Sequence, residues 1–276
     1  MPKSPSEIAE VEARARALRA RVVKLIQNIR VGYLLQGLGA ADIFAALYFS
    51  ELRLDPTNAE WEDRDRCFLS TAHNTAVLYS TFAERGLITE AALATYTQDG
   101  SALEVNASER VGPIVEATCG SLGQGLSVAL GTALSLRRRG SNARVYVILG
   151  DGELQEGQVW EAMLSAASFG LDNLCLILDR NYLQVEGHTD KVVRMDPIAP
   201  KFAAFGWRTL EIDGNVMGEV LGALDCAREN KGAPTAIVAH TKPGAGIPFL
   251  EGQMAHVAYL KPDDAVRALA ILEPTA

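Results

Sequence analysis

The first part of the chain places apolar residues three and four positions apart, the spacing of one face of a helix. This pattern predicts an amphipathic helix over about residues 6–31, with Ser6 as its N-cap. A second, mostly buried helix is predicted over Ala40–Leu52, because most of "AADIFAALYFSEL" is apolar. The positions that form the first apolar face are Ile8, Val11, Ala15, Leu18, Val22, Leu25, Ile26 and Ile29.

Further along, apolar runs alternate with helical patterns. "RVYVIL" and "LCLILD" are apolar except for Arg144 and Asp179 at their ends, as strands buried on both faces are, and "CFLS" is a shorter run of the same kind. Helices are predicted over about His73–Arg85, in "GSLGQGLSVALGTALSL", over about Leu154–Phe169, and before "GWRTLEID" and "PTAIVAH", with a loop over Arg180–Arg194. This alternation predicts an α/β fold, a mostly parallel sheet with helices on both faces. We expect one domain over residues 1–276, with a C-terminal tail over about 262–276.

Composition narrows the possible partners. The 276 residues include 26 basic and 34 acidic side chains, a net charge of −8, without a large basic block. This balance argues against nucleic acid or a membrane surface as a partner. No apolar run reaches the roughly 20 residues that span a bilayer, and no signal peptide is visible. Four separated cysteines without a CxxC pair fit a reduced protein, so we expect a cytoplasmic location.

The candidate chemistry lies where two predicted strands end. "RVYVIL" is followed by Gly150, Asp151 and Gly152, and "LCLILD" is followed by Arg180 and Asn181. If the strands are neighbours, Asp151 and Asn181 emerge at the same edge of the sheet, where ligands of parallel sheets bind. Their oxygens suit Mg²⁺ or Ca²⁺, and the glycines allow phosphates to approach the backbone. Gly-Asp-Gly by itself is also a common turn sequence. The prediction of a metal and phosphate site therefore depends on the spacing between Asp151 and Asn181.

Several segments together resemble the transketolase family. "GDGELQEGQVWEA", followed thirty residues on by "DRNYLQVEG", is similar to the thiamin diphosphate motif of that family. "VEATCGSLGQGLSVALG", "FLSTAHNTAVLYSTFAERG" and "AADIFAALYF" are similar to three further family segments. The similarity runs from about residue 25 to 260. It implies the diphosphate-binding half of a thiamin-dependent transferase.

The resemblance also implies roles for individual residues. The metal, Mg²⁺ with Ca²⁺ or Mn²⁺ as substitutes, would be held by Asp151, Asn181 and the backbone carbonyl of Leu183. Gly152 and His73 would contact the diphosphate, Gly150 would let it approach the backbone, and Gly120 and Leu122 would line the cofactor near its rings. Glu153 is counted with the cofactor-binding residues, although an acid there also favours a helix N-terminus. Glu156 matches an acid at the subunit interface that connects two active sites, and His256 matches a late active-site histidine.

The family's pyrimidine-binding domain, which carries the glutamate that activates the cofactor, has no counterpart in the sequence. The chain therefore resembles the N-terminal subunit of a split transketolase. The resemblance implies a partner, the separate C-terminal subunit of such an enzyme. It also implies a heterotetramer with two of each chain, which is active only as that complex.

Two positions depart from the family. Tyr33 stands where split transketolases have a histidine, and the region of a second histidine aligns around Ala107. Because imidazoles there bind donor hydroxyls and move protons, their loss predicts altered specificity. We expect transfer of a two-carbon ketol or acyl unit, in a specialised pathway, from a ketose or a 2-oxoacid such as pyruvate to an aldehyde-type acceptor. A non-catalytic, cofactor-binding regulatory subunit is the alternative from another class.

Overall fold

The computed structural model describes residues 3–30, 32–256 and 258–273. The longer helices of this part are α1 (Pro5–Ile29), α2 (Leu34–Ala46), α3 (Thr75–Glu84), α5 (Gln124–Arg138), α6 (Gly157–Ser168), α8 (Ile198–Ala204), α9 (Met217–Glu229) and α10 (Pro262–Leu272), with single turns at α4 (Glu90–Leu93) and α7 (Thr189–Val192). The strands are β1 (Arg66–Leu69), β2 (Val145–Gly150), β3 (Leu174–Arg180), β4 (Leu183–Gln184), β5 (Gly187–His188), β6 (Arg208–Asp213) and β7 (Thr235–His240).

Five strands form one sheet in the order β1-β2-β3-β7-β6. Every neighbouring pair in it is parallel, and Gly150 of β2 lies in register with Asp179 of β3. The short strands β4 and β5 form a separate antiparallel hairpin directly after β3. The adjacency of β2 and β3, which the candidate site requires, is therefore present.

Both faces of the sheet are covered by helices. Tyr146 and Ile148 of β2 pack into a core with α1, α2, α3, α9 and α10. Val147 and Leu149, which point to the opposite face, pack into a second core with α5, α6 and α8. This arrangement confirms the predicted α/β class. Among the described residues, none of the helices combines the length and apolarity needed to cross a membrane.

The start of the first helix differs from the prediction. Ser4, not Ser6, is the N-cap: its hydroxyl accepts a hydrogen bond from the Glu7 amide at 3.3 Å, and the Glu7 carboxylate accepts one from the Ser4 amide at 2.8 Å. Pro5 takes the first helical position, where its missing amide hydrogen costs nothing. The helix ends at Ile29, two residues before the predicted end, which lies outside the described residues.

Three other segments differ in detail from the expectation. The predicted C-terminal tail contains α10, which packs against α1 through Ala265 and Ala268; residues 274–276 of the tail lie outside the described part. The second helix begins at Leu34, six residues early, and ends in a π-helical turn over Leu47–Glu51. The predicted loop over Arg180–Arg194 includes the β4–β5 hairpin and α7. The strands β4 and β5 and the helix α7 have too few residues to show a periodic pattern of apolar positions.

Candidate cofactor site

Nine of the eleven predicted site residues meet at the carboxyl ends of β1, β2 and β3. Asp151 directly follows β2, and Asn181 directly follows β3, so the parallel register brings both to one edge. A cavity of about 240 Å³ opens there. The predicted site residues that line this cavity are His73, Leu122, Gly150, Asp151, Gly152, Glu153, Glu156, Asn181 and Leu183.

Asp151 is almost fully buried, with 1 % of its surface exposed. Its Oδ2 accepts hydrogen bonds from the Tyr182 amide at 3.0 Å and the Thr189 hydroxyl at 2.9 Å. Burial raises the pKa of Asp151 to about 7, against the opposing effect of the hydrogen bond from Thr189, and nearby Asp179 raises it further. The carboxylate at this position therefore lacks full compensation from the protein.

Asn181 has a fixed orientation beside Asp151. Its amide nitrogen donates to Asp179 Oδ2 at 3.1 Å, and its oxygen accepts from the Leu183 amide at 2.9 Å. Asp179 also accepts from Asn74 at 2.9 Å and from the Thr241 hydroxyl. The buried Asp179 thus determines which end of the Asn181 side chain faces its neighbours.

This donor set suits a hard cation that is also bound by phosphate. The described residues contain no group of three or more histidine, cysteine, aspartate or glutamate side chains placed to hold a metal ion. In the predicted set, a metal beside Asp151 would have one carboxylate, with oxygens of Asn181 and Leu183 as the other protein ligands. Mg²⁺ is commonly bound by few protein groups together with substrate phosphates and water. A cation would also compensate the buried charge of Asp151.

Glu153 lies in the same wall but is already engaged. Its Oε1 accepts from the Ser70 hydroxyl at 2.6 Å and the Gly123 amide at 2.8 Å, and its Oε2 accepts from the Gly150 amide at 2.8 Å. The contact with Gly150 is that of an acid at the start of a helical turn, as the sequence indicated. The contacts with Ser70 and Gly123 connect Glu153, which follows β2, to the end of β1 and to the turn before α5. Contact of Glu153 with the cofactor stays a prediction.

Replacing Glu153 by Gln should destabilise the protein by about 2–3 kcal/mol, because an amide NH₂ group must face at least one of three donors. Urea unfolding at pH 8 measures this loss. Glu161→Gln, at an exposed position of α6, is the matched control and should change stability by less than about 0.5 kcal/mol. Equal stability of both variants would contradict the assigned hydrogen bonds.

Three rings form a cluster at one side of the cavity, which we call the ring cluster: Tyr33, His73 and His256. The ring centroids are 4.6 Å apart for Tyr33 and His73, 5.2 Å for Tyr33 and His256, and 4.5 Å for the two histidines, all edge to face. Burial, followed by the nearby His256, lowers the pKa of His73 to about 4, so His73 is neutral at neutral pH. Burial also lowers the pKa of His256. Tyr33 thus packs against both predicted histidines.

The remaining predicted residues are placed differently. Gly120 is exposed and is not among the residues that line the cavity, whereas Leu122 lines it with 42 % of its surface exposed. Glu156 is exposed at the N-cap of α6, and its place at a subunit interface stays a prediction. Ala107 is buried in the core that contains α1–α3. Gly150 and Gly152 both have φ values that other residues also adopt. Their contact with a diphosphate stays a prediction.

The sequence reasoning missed the residues that support the site from behind. Asp179, Arg180 and Thr189 are each about 1 % exposed, and each contacts Asp151 or Asn181. Asp179 and Arg180 could have been found from the sequence, because they end an otherwise apolar strand. Charged side chains at such a position need buried partners.

Comparisons with known proteins identify the family of the chain. The family described as "Transketolase, thiamine diphosphate binding domain" matches residues 11–272. The chain is 40 % identical over 262 residues to a transketolase family protein of Sinorhizobium fredii, covering 94 % of each chain. It is 39 % identical over 245 residues to an apulose-4-phosphate transketolase subunit of Actinobacillus succinogenes, covering 88 % of each. It is 35 % identical over 246 residues to a 6-deoxy-6-sulfo-D-fructose transketolase subunit of Clostridium sp., covering 89 % of this chain and 90 % of the relative.

Solved structures show the same relationship. The transketolase of Leishmania mexicana superimposes with a TM-score of 0.88 at 29 % identity over 99 % of this chain, and that of Campylobacter jejuni with 0.86 at 28 % identity over 97 %. This chain spans only 42 % and 43 % of those two proteins. With its parallel sheet, the site at the ends of β2 and β3 and a family match over nearly its whole length, the chain belongs to the transketolase family and carries that family's thiamine diphosphate binding domain.

Proposed function

We propose that this chain binds thiamin diphosphate and Mg²⁺ in the cavity and, as one subunit of a two-chain transketolase, transfers a two-carbon ketol unit from a ketose donor to an aldehyde acceptor. The observation that carries the proposal is the pairing of Asp151 and Asn181 at neighbouring strand ends on one cavity. The family match supports thiamin diphosphate as the cofactor.

In this proposal Asp151, Asn181 and the Leu183 carbonyl hold Mg²⁺, with Ca²⁺ or Mn²⁺ as substitutes. Gly150, Gly152 and His73 contact the diphosphate, Gly120 and Leu122 lie near the rings, and Glu153 shapes the wall between them. Bound thiamin diphosphate supplies a nucleophilic carbon that can carry the transferred unit. The protein contributes orientation and electrostatics. In the same proposal His73 and His256, whose pKa values are lowered by burial, exchange hydrogen bonds with a donor without adding charge.

The partner is proposed from the relatives. Two curated relatives that are named as transketolase subunits are covered by this chain over 90 % and 88 % of their length. We therefore propose that a separate C-terminal, pyrimidine-binding subunit joins this chain in a heterotetramer with two copies of each. The exposed Glu156 would lie at an interface between chains and act on catalysis from there.

The ring cluster favours a second candidate reaction, acyl transfer from pyruvate or another 2-oxoacid. Tyr33 adds a bulky ring and one hydroxyl beside His73 and His256, in place of a third imidazole. A phenol offers fewer ways to bind a polyhydroxylated donor and is a poor base at neutral pH. A small 2-oxoacid would need fewer such contacts.

A reconstituted complex tests these proposals. The chain is co-purified with the product of a neighbouring reading frame that resembles the transketolase C-terminal half. Turnover of xylulose 5-phosphate, fructose 6-phosphate and pyruvate is then measured with and without Mg²⁺ and thiamin diphosphate. We expect cofactor-dependent turnover of one donor class. Tight cofactor binding without turnover of any donor would contradict both enzymatic proposals, because it would favour a regulatory role for the chain.

Replacing Tyr33 by His should shift donor preference toward the ketose phosphates, with a change of about 10-fold in the kcat/KM ratio of xylulose 5-phosphate to pyruvate. The added imidazole restores hydrogen bonding near the donor. Tyr33→Phe is the matched control, because it keeps the ring packing and removes only the hydroxyl. An unchanged ratio in Tyr33→His would place this side chain outside donor recognition.

A further inference from the structure

Tyr182 has an unusual backbone conformation within the candidate metal site. Its φ is +62°, in the left-handed region, which a bulky residue seldom adopts. Tyr182 lies between Asn181 and Leu183, the two residues whose oxygens are proposed as metal ligands after Asp151. The conformation of this one residue therefore sets the relative direction of those two oxygens. Such strain persists only where surrounding contacts hold it.

Backbone contacts hold Tyr182 on one side. Its amide donates to Asp151 Oδ2 at 3.0 Å, and its carbonyl accepts from the Thr189 amide at 3.0 Å. The Thr189 hydroxyl donates to the same Asp151 oxygen at 2.9 Å. These bonds connect Asp151 to the residue between the other proposed ligands. They also show that the positive φ is compatible with full hydrogen bonding of the Tyr182 backbone.

Side-chain contacts hold Tyr182 on the other side. The phenol oxygen lies 2.6 Å from His240 Nδ1, and His240 Nε2 lies 2.7 Å from Glu211 Oε1. His240 ends β7 and Glu211 belongs to β6, so the phenol is connected to two strands of the sheet. The guanidinium carbon of Arg180 lies 4.5 Å from the centroid of the Tyr182 ring. Arg180 is in turn fixed by Asp190 and Asp196, at 3.1 and 2.8 Å.

We infer that Tyr182 is a positioning residue for the metal and diphosphate: its phenol, anchored through His240 to Glu211, holds the backbone of Tyr182 in the left-handed conformation, and this conformation sets the Asn181 and Leu183 oxygens beside Asp151. This role rests on the proposed cofactor site, although the anchoring itself is a property of the chain alone. Nothing in the sequence pattern of the motif requires a tyrosine here. The anchor links the site to the sheet edge formed by β6 and β7.

The variant Tyr182→Phe tests the inference by removing the hydroxyl and keeping the ring over Arg180. Tyr146→Phe is the matched control, because the Tyr146 hydroxyl donates to buried Glu51 at 2.5 Å in the core, away from the cavity lining. Hydrogen exchange of residues 180–193 is measured in the cofactor-free chain. We expect Tyr182→Phe to accelerate exchange in this segment about 10-fold, and Tyr146→Phe to leave it unchanged while lowering Tm.

Cofactor affinity gives the second measurement. Titration of each variant with thiamin diphosphate in Mg²⁺ should show a Kd about 5- to 10-fold higher for Tyr182→Phe, since one anchoring hydrogen bond is lost. Tyr146→Phe should bind like the original protein. A lower Tm for Tyr182→Phe with unchanged exchange and unchanged Kd would overturn the inference, because it would show a structural role only.

A third variant separates strain from anchoring. Tyr182→Gly adopts positive φ without strain but loses the phenol. We expect faster local exchange and a Kd at least as high as that of Tyr182→Phe; affinity like that of the original chain would overturn the inference. If the original chain does not bind Mg²⁺ and thiamin diphosphate even together with its partner subunit, the proposed function fails. The exchange measurement then decides the anchoring by itself.

Discussion

Replacing Asp151 by Asn should abolish metal-dependent cofactor binding and, at the same time, stabilise the cofactor-free protein. Loss of the carboxylate removes the one charged ligand of the proposed metal, so Kd for thiamin diphosphate in Mg²⁺ should rise by at least about 100-fold. The stability gain follows from burial: Asp151 is 1 % exposed, and its charge is only partly compensated by protein groups. Asparagine keeps an oxygen for the Tyr182 amide without that charge.

The stability gain should depend on pH in a defined direction. The pKa of Asp151 is about 7 in the folded chain, against 3.8 in an ordinary environment. Between these values the unfolded chain has lost this proton and the folded chain retains it, so rising pH destabilises the native protein. The advantage of Asp151→Asn should therefore be small below pH 4, grow up to pH 7 and level off above it, at roughly 2–4 kcal/mol.

Urea unfolding at pH 4, 6 and 8 without cofactor, and titration calorimetry with Mg²⁺ and thiamin diphosphate, measure the two effects. Glu186→Gln is the control: Glu186 is an exposed acid that lines the same cavity. It should change affinity by less than about 2-fold, because exposed charges contribute little. Affinity of Asp151→Asn equal to that of the original protein would refute the site assignment.

Replacing Gly125 by Ala should destabilise the protein by about 2–4 kcal/mol, although alanine favours helices. A Cβ at Gly125 would lie 2.5 Å from Ser70 Cβ and 2.9 Å from Ser70 Cα, so backbone would have to move. Such overpacking commonly costs about 1–3 kcal/mol or more. The Gly125 amide also donates to the Ser70 hydroxyl at 3.2 Å, and that hydroxyl donates to Glu153. Displacement would therefore disturb the cavity wall, and weaker cofactor binding should accompany the loss.

Gly131 provides a control in the same helix. A Cβ there has nothing within 4 Å, and the residue is exposed. Gly131→Ala should therefore stabilise the protein by about 0.5–1 kcal/mol through helix propensity alone. The two variants make the same chemical change with opposite expected signs in urea unfolding. If both stabilise, α5 does not approach β1 as closely as the structure shows.

Much of the architecture was predictable because it depends on local patterns. "RVYVIL" and "LCLILD" are apolar except for Arg144 at the start of the first and Asp179 at the end of the second, a pattern typical of strands covered on both faces, as β2 and β3 are. The helix boundaries were less predictable. Ser4 and Ser6 are both acceptable caps, and only the reciprocal contact with Glu7 decides between them. The apolar residues of α10 could be identified as a packing surface only from the tertiary structure, in which α10 contacts α1.

The sequence by itself determined the family, through its similarity to a known thiamin diphosphate motif. It also predicted where the site lies, from an acid between two glycines after one buried strand and an asparagine after the next. These features can be recognised in the sequence because β2 and β3 are consecutive strands of one parallel unit. Their carboxyl ends therefore lie at the same edge of the sheet. Only the tertiary structure decided how the site is supported. Asp179 orients Asn181, Glu153 joins three segments, and Tyr182 reaches His240 some sixty residues away. Contacts between segments so far apart follow from how helices and strands pack, which no local spacing encodes.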